Sequence, residues 1–136
     1  MRVIIDTNIL VSAAVADGKP ERTINYIISG SNYEWIVSEE ILAEYNEVLY
    51  RRKLKLSNSK RTEWLNLIKD STKLIEVNLK VDFQRNSKDA KFIALAMVSE
   101  ADFLITGDKD FSEMKELPKT VIVSVSLFYD LFMNEE

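Results

Sequence analysis

Hydrophobic residues along the chain form short unbroken runs that alternate with longer segments of helical periodicity. The runs are typical of strands covered on both faces, because they are short and apolar at nearly every position. The predicted strands are 2–5, 35–37, 73–77, 102–105 and 121–125, of which 73–77 is the weakest. The predicted helices are 8–16, 20–29, 39–52, 60–70, 88–100 and 126–133. This alternation predicts an α/β fold: a single domain over residues 1–136 with a short parallel sheet of four or five strands flanked by helices.

Two of the predicted strands are followed by acidic residues. Asp6 comes directly after the first strand, and Asp108 comes three residues after the end of the fourth, with Asp110 two residues later. An unpaired carboxylate next to a buried run is costly to desolvate, so Asp6 needs a partner. Each acid could instead be an exposed turn residue. Because ligands bind at the carboxyl ends of parallel strands, two acids at that edge favour a shared site.

Two further acids lie on predicted helices. On the helix 39–52, with about 100° per residue, Glu44 falls at the margin of the apolar face. Asp89 falls in the first turn of the apolar helix 88–100, behind Ser87 as the predicted cap. Either acid could be a solvated helix residue, and the helix dipole alone would favour Asp89. The apolar faces beside them indicate that both acids could reach the same pocket as Asp6 and Asp108.

The chain contains neither cysteine nor histidine. This excludes disulfides, thiolate metal sites, cysteine nucleophiles, Ser-His-Asp triads and histidine acid–base catalysis. Carboxylates that converge repel one another, and one of them takes up a proton unless a cation is bound. Carboxylate oxygens suit Mg²⁺ or Mn²⁺, so the sequence predicts a site for one of these ions.

Length and charge limit the class of protein further. The 136 residues are enough for one domain, and the net charge of −4 gives no overall sign of nucleic-acid binding. No apolar run approaches the roughly 18 residues of a membrane span. The first apolar run stops at Asp6, which is too early for a signal peptide. We therefore expect a complete, cytoplasmic chain without membrane association.

Four segments of the chain, VIIDTNIL, VSEEILAEYNEVL, KDAKFIALAM and LITGDKDF, resemble the PIN-domain nucleases in order and spacing. That family includes the VapC-type toxins of prokaryotic toxin–antitoxin pairs. The resemblance extends from residue 2 to about residue 125. It implies a metal-dependent endoribonuclease that cuts RNA, with Mg²⁺ or Mn²⁺ as cofactor.

The resemblance also implies roles for individual residues. The catalytic acids would be Asp6, Glu44, Asp89 and Asp108, and the metal ligands Asp6, Asp89 and Asp108. Asp110 would be an accessory acid. In the stretch before Asp89, this chain carries fewer acids than the relatives it resembles. The number of bound metal ions, one or two, therefore stays open.

Two polar residues match family positions that orient the first acid. These are Asn8 and Thr106. Each also has a purely structural alternative. Thr7 or Asn8 could cap the first helix, and Thr106 could be an ordinary strand residue. The two roles are compatible, since a cap can also contact a neighbouring carboxylate.

One dense basic segment, RRKLKLSNSKR, begins at the end of the Glu44 helix. Its residues Arg51, Arg52, Lys53 and Lys55 are the predicted RNA contacts, which would supply affinity without sequence specificity. The alternative is a solvated connection whose cations favour a helix C-terminus.

The expected function is that of a toxin ribonuclease with RNA as substrate and a separate antitoxin protein as partner. A housekeeping RNA-processing nuclease with the same site and an inactive PIN-fold interaction module are the alternatives. A phospho-receiver domain lacks support, because Ser126 and Leu127, not lysine, follow the last strand. The family resemblance and the aromatic terminal segment 126–133 also predict a homodimer, unless that segment packs on its own sheet.

Overall fold

The structure is a computed structural model that describes residues 1–78, 89–108 and 117–133. The described part contains the strands β1 (Arg2–Ile5), β2 (Glu34–Val37), β3 (Thr72–Leu74), β4 (Phe103–Ile105) and β5 (Val121–Val123). They form one parallel sheet in the order β3-β2-β1-β4-β5. The predicted α/β fold is confirmed, including the weakest strand.

Helices connect and flank these strands. They are α1 (Thr7–Val15), α2 (Lys19–Ser29), α3 (Glu39–Leu49), α4 (Asn58–Ser71), α5 (Ala90–Ser99) and α6 (Val125–Phe128). A 3₁₀ turn (Arg52–Leu54) follows α3, and a π-helical turn (Tyr129–Met133) follows α6. None of the helices in the described ranges has the length and apolar character needed to cross a membrane.

The central position of β1 in the sheet explains why its apolar residues do not alternate with polar ones. It pairs with β2 on one side and β4 on the other, and Val3, Ile4 and Ile5 are fully buried. Each such side chain stabilises the fold by about 1.5–3 kcal/mol relative to an exposed position. The chain fills one half of the sheet with β2 and β3 before it returns to add β4 and β5. The crevice between the carboxyl ends of β1 and β4 is therefore the topological switch point.

The helix starts differ from the sequence-based expectations in two places. Asp6, in an extended conformation, occupies the N-cap position of α1, so the predicted caps Thr7 and Asn8 are wrong. Asp89 is the N-cap residue of α5 and does not lie inside its first turn. The predicted cap Ser87 lies outside the described residues. In both cases an acid occupies the first position of the junction into the helix, without a capping hydrogen bond from its side chain.

The aromatic terminal segment packs on its own core. Phe128 is fully buried, with its ring 5.6 Å from that of Phe103 and 5.0 Å from that of Phe132. The rings therefore do not form an exposed apolar patch, and the alternative of packing on the sheet is correct. The exposed apolar side chains of this segment are Leu127 and Leu131. The homodimer stays a prediction that rests on the family resemblance.

Candidate active site

Asp6 lies at the carboxyl end of β1 and is only 6% exposed. Its backbone N–H donates to the carbonyl of Ile105 at 3.0 Å, which extends the β1–β4 pairing by one residue. The hydroxyl of Thr106 donates to Asp6 Oδ2 at 2.7 Å. The carboxylate is therefore oriented at the switch point by the residue that directly follows β4.

Burial is the largest influence on the charge of Asp6, and it raises the pKa of the carboxyl above its ordinary value. The Thr106 hydroxyl and the backbone N–H of Asn8 lower this pKa in part, although no full capping hydrogen bond reaches the helix. The nearby charges of Asp108 and Glu44 raise it again. Glu44 and Asp108 are thus each close enough to Asp6 for their charges to act on it.

Thr106 connects two of these acids through one hydroxyl. Its Oγ1 accepts a hydrogen bond of 3.0 Å from the backbone N–H of Asp108 while it donates to Asp6. Its own backbone N–H donates to the carbonyl of Val123 at 2.9 Å. The hydrogen bond to Asp6 expected from the family resemblance is present. The start of the loop after β4 is consequently fixed against both β5 and the first acid.

Glu44 has both carboxylate oxygens engaged. The Thr7 hydroxyl donates to Oε2, and the Lys91 ammonium lies 3.0 Å from Oε1. The Lys91 side chain is only 11% exposed, compared with 27% for Glu44. The pair is partly removed from water, so solvent screens it less than a surface ion pair.

The neighbour of Glu44 on α3 fixes that helix against the central strand. Tyr45 is fully buried, and its hydroxyl donates to the carbonyl of Ile5 at the end of β1. Desolvation, and to a lesser extent the charges of Asp6 and Glu44, raise the pKa of Tyr45 above its ordinary value. The phenol therefore stays neutral and works as a structural donor that brings Glu44 to the strand end.

Asp89 is 6% exposed at the N-terminus of α5. Because α5 leads into β4, its N-terminus lies towards the carboxyl edge of the sheet. Two residues later Lys91 reaches Glu44. Asp89 therefore lies at the same edge of the sheet as Asp6.

The two predicted accessory residues that remain are Asn8 and Asp110. Asn8 is exposed, and it acts on Asp6 through its backbone N–H. Asp110 lies outside the described residues.

The predicted RNA-contact residues are exposed after the end of α3. Arg51 forms two hydrogen bonds to Glu47, of 2.8 and 2.9 Å. This contact raises the pKa of Arg51, and the charge of Glu44 adds to the effect. Arg52, Lys53 and Lys55 are also exposed, with Lys55 in a left-handed conformation. The segment is therefore exposed to a possible ligand, and Arg51 is close enough to Glu44 to interact with its charge.

A divalent ion suits the chemistry of these donors. All four predicted catalytic residues are carboxylates, and a cation would relieve the repulsion that acts on Asp6. Among residues 1–78, 89–108 and 117–133, no three acidic side chains are grouped closely enough to form a ready metal cluster. The oxygen donors suit Mg²⁺ or Mn²⁺ by type, although the described acids are not brought together as a metal site, and the assignment of ligands stays a prediction.

Sequence reasoning missed Lys91, Thr7 as a partner of Glu44, and Tyr45. The sequence feature that could have identified Lys91 is its position as a single cation in an otherwise apolar helix, two residues after an acid. Such a cation needs a buried counter-charge. Its partner lies on another helix and therefore cannot be read from the local pattern.

The fold and the site together define an α/β protein with a carboxylate site at the switch point of its sheet. The PIN domain profile matches residues 2–110, and the chain belongs to the PIN-domain family, a family of nucleases. The predicted family is therefore confirmed.

A solved structure with a similar fold is the crystal structure of VapBC2 from Rickettsia felis bound to a DNA fragment from their promoter. The TM-score is 0.60 at 17% sequence identity, and the match covers 91% of this chain and 98% of the other. No curated protein is significantly similar to the chain in sequence.

We predict that Asp6→Asn raises the thermal stability of the protein in EDTA. The substitution removes a buried charge, and the new amide oxygen can still accept the Thr106 hydroxyl. Because the folded pKa of Asp6 lies above its unfolded value, the ionised carboxylate destabilises the fold above that pKa. The gain in Tm should therefore be largest at neutral pH and shrink as the pH falls towards the ordinary value of 3.8.

Calorimetry at neutral and acidic pH measures this difference, at about 3–5 °C per kcal/mol for a domain of this size. Glu63→Gln, which neutralises an exposed acid on α4, is the control and should change Tm little. An equal gain at both pH values would contradict the assigned cause.

Proposed function

We propose that this chain is a metal-dependent endoribonuclease that hydrolyses RNA phosphodiesters as the toxin of a toxin–antitoxin pair. The observation that carries the proposal is the buried carboxylate of Asp6, which Thr106 orients and two further acids approach. In a family of nucleases, such a site at the switch point is best explained as the reaction centre. The similarity of fold to VapBC2 supports the toxin assignment.

We assign Asp6, Asp89 and Asp108 as the ligands of Mg²⁺ or Mn²⁺. When bound, such an ion neutralises charge on the phosphate and lowers the pKa of a water molecule. The hydroxyl of Thr106 keeps the Asp6 carboxylate in one orientation, and the backbone N–H of Asp108 fixes that hydroxyl in turn. These contacts orient the Asp6 carboxylate and fix the backbone at Asp108 before substrate arrives.

Glu44 is the proposed general base. It accepts a proton from the water that attacks phosphorus, while Thr7 and Lys91 hold its carboxylate in place. Attack in line with the leaving oxygen breaks the bond between phosphorus and the 3′-oxygen, which takes a proton from solvent. The products are a 5′-phosphate and a 3′-hydroxyl. A general base of this kind usually contributes about 10²–10⁴-fold to the rate.

The antitoxin and the homodimer are further parts of the proposal. Expression of the wild-type chain should arrest growth, and co-expression of a small protein encoded next to it should relieve the arrest. A housekeeping nuclease would show neither effect. Light scattering should give the mass of a dimer, and a monomer at high concentration would exclude it.

The first prediction tests the chemistry. Asp6→Asn should abolish RNA cleavage while the fold is retained, and Glu44→Gln should lower kcat by about 10²–10⁴-fold. EDTA should stop the wild-type reaction and Mn²⁺ should restore it. A gel assay with labelled RNA and purified, folded variants measures these rates. An inactive interaction module would show no cleavage at all, and full activity in EDTA would contradict the metal site.

A second prediction tests the basic segment. Replacing Arg51, Arg52 and Lys53 together by alanine should weaken RNA binding and flatten its dependence on salt, by about 0.7 in logarithmic slope for each phosphate that the variant no longer neutralises. Binding should be measured by fluorescence anisotropy from low to moderate salt, with a catalytically inactive background. Replacing Lys19, Lys73 and Lys119, which are exposed elsewhere, removes the same three positive charges and so controls for net charge. An unchanged slope would leave the segment as a solvated connection.

A further inference from the structure

A cleft of about 480 Å³ lies between α3, α4 and the edge strand β3. Its α3 wall includes Leu42, Asn46 and Tyr50, which follow one another at intervals of four residues and so share one face of the helix. With about 100° per residue, this face lies opposite Glu44, so the cleft is separate from the acidic site. Its volume lies within the usual range of small-ligand pockets, roughly 300–1,000 Å³.

The lining of the cleft combines apolar side chains with a few polar groups. None of the described residues that line it is acidic, although the chain as a whole has a net charge of −4. Asn46, Asn66 and Lys69 are lining residues with exposed side chains. No described residue forms a hydrogen bond with either amide or an ion pair with the ammonium. These three groups can therefore bind a ligand without giving up a contact within the described protein.

Tyr50 lines the cleft at the C-terminus of α3 and is 61% exposed. The Arg61 guanidinium lies 5.0 Å from the centroid of its ring and is not part of the cleft lining. Arg61 is itself fixed, because it donates hydrogen bonds to three acceptors: the carbonyls of Leu49 and Leu56 and the side chain of Asn58. The ring therefore has a fixed cation beside it and keeps most of its surface open to a planar ligand.

We propose that this cleft binds one unpaired base of an RNA strand, stacked on Tyr50, while the strand continues over the basic segment. Aromatic rings stack on bases of any kind. The amides of Asn46 and Asn66 can donate to and accept from the edge of the base. Lys69 supplies a cation for a neighbouring phosphate.

The basic segment connects the cleft with the acidic site around the end of α3. Arg51 directly follows Tyr50, and it is close enough to Glu44 for that charge to contribute to its raised pKa. A strand that leaves the cleft therefore meets cations before it reaches the acids. This inference rests on the proposed RNA substrate and adds a site for a base away from the bond that is cut.

The experiment measures the binding of a short single-stranded RNA and of an abasic strand of the same length by fluorescence anisotropy. An Asp6→Asn background in EDTA keeps the RNA intact. Tyr50→Leu should weaken RNA binding about fivefold or more and leave binding of the abasic strand unchanged. The dependence on salt should keep its slope, because no charge is removed. Tyr50→Phe should bind as the wild type does.

Asn46→Ala should weaken RNA binding about 2–10-fold, as expected for the loss of one or two hydrogen bonds. Two matched variants outside the cleft control for these changes. Tyr129→Leu removes a tyrosine that also lies beside a cation, at 5.0 Å from the Lys19 ammonium, and Asn25→Ala removes an exposed amide on α2. Both should bind RNA as the wild type does.

Photochemical crosslinking gives a readout that needs no cleft variant. A strand that carries 5-bromouridine should crosslink to Tyr50 on irradiation, and mass spectrometry of the digested protein locates the modified residue. Crosslinks that form only at other residues would contradict the site.

Two binding results would also overturn the inference. One is a folded Tyr50→Leu variant that binds RNA as the wild type does, which would leave the cleft to another ligand, such as an apolar side chain of a protein partner. The other is an equal loss for RNA and for the abasic strand. Either result would leave Mn²⁺-dependent cleavage by the wild type intact, so the proposed function would survive. Base-dependent binding at Tyr50 by a chain that does not cut RNA would overturn the proposed function and not the cleft.

Discussion

The site depends on one constraint, the burial of a carboxylate at the end of the central strand. β1 has neighbours on both edges, so the residue that follows it cannot turn to water. Asp6 is therefore 6% exposed, and its burial opposes ionisation. The adjacent strand supplies Thr106 to offset part of this cost. Tyr45 then fixes α3 to the same strand end and so brings a second acid towards the first.

The acids of the site are stabilised by two different means. Asp6 is held by hydrogen bonds, which orient its carboxylate but supply no counter-charge. Glu44 has a full counter-charge from Lys91. A carboxylate without a counter-charge attracts a cation, whereas one with its own ammonium is held in one position. The difference in partners thus favours different roles for Asp6 and Glu44.

Much of the fold could be predicted from the sequence, because buried parallel strands appear as short apolar runs and their ends carry the site acids. The predicted placement of Glu44 at the margin of the apolar face of α3 agrees with its partial exposure. The pairing of Lys91 with Glu44 could not be predicted, because it joins two helices that are distant along the chain. The aromatic end of the chain was ambiguous for the same reason, since periodicity cannot say whether Phe128 meets its own sheet or another copy.

An acidic site that acts on a polyanion must also overcome its own repulsion of the substrate. The net charge of −4 makes this a problem for the molecule as a whole. The cations near α3 are arranged at two depths: Lys91 lies within the site, and Arg51, Arg52 and Lys53 are exposed after the end of the helix. The exposed group can attract a phosphate chain over a Debye length of about 8–10 Å. The buried lysine reduces the repulsion that remains at the acids. Under the proposed function, the two groups would therefore act at successive stages of substrate approach.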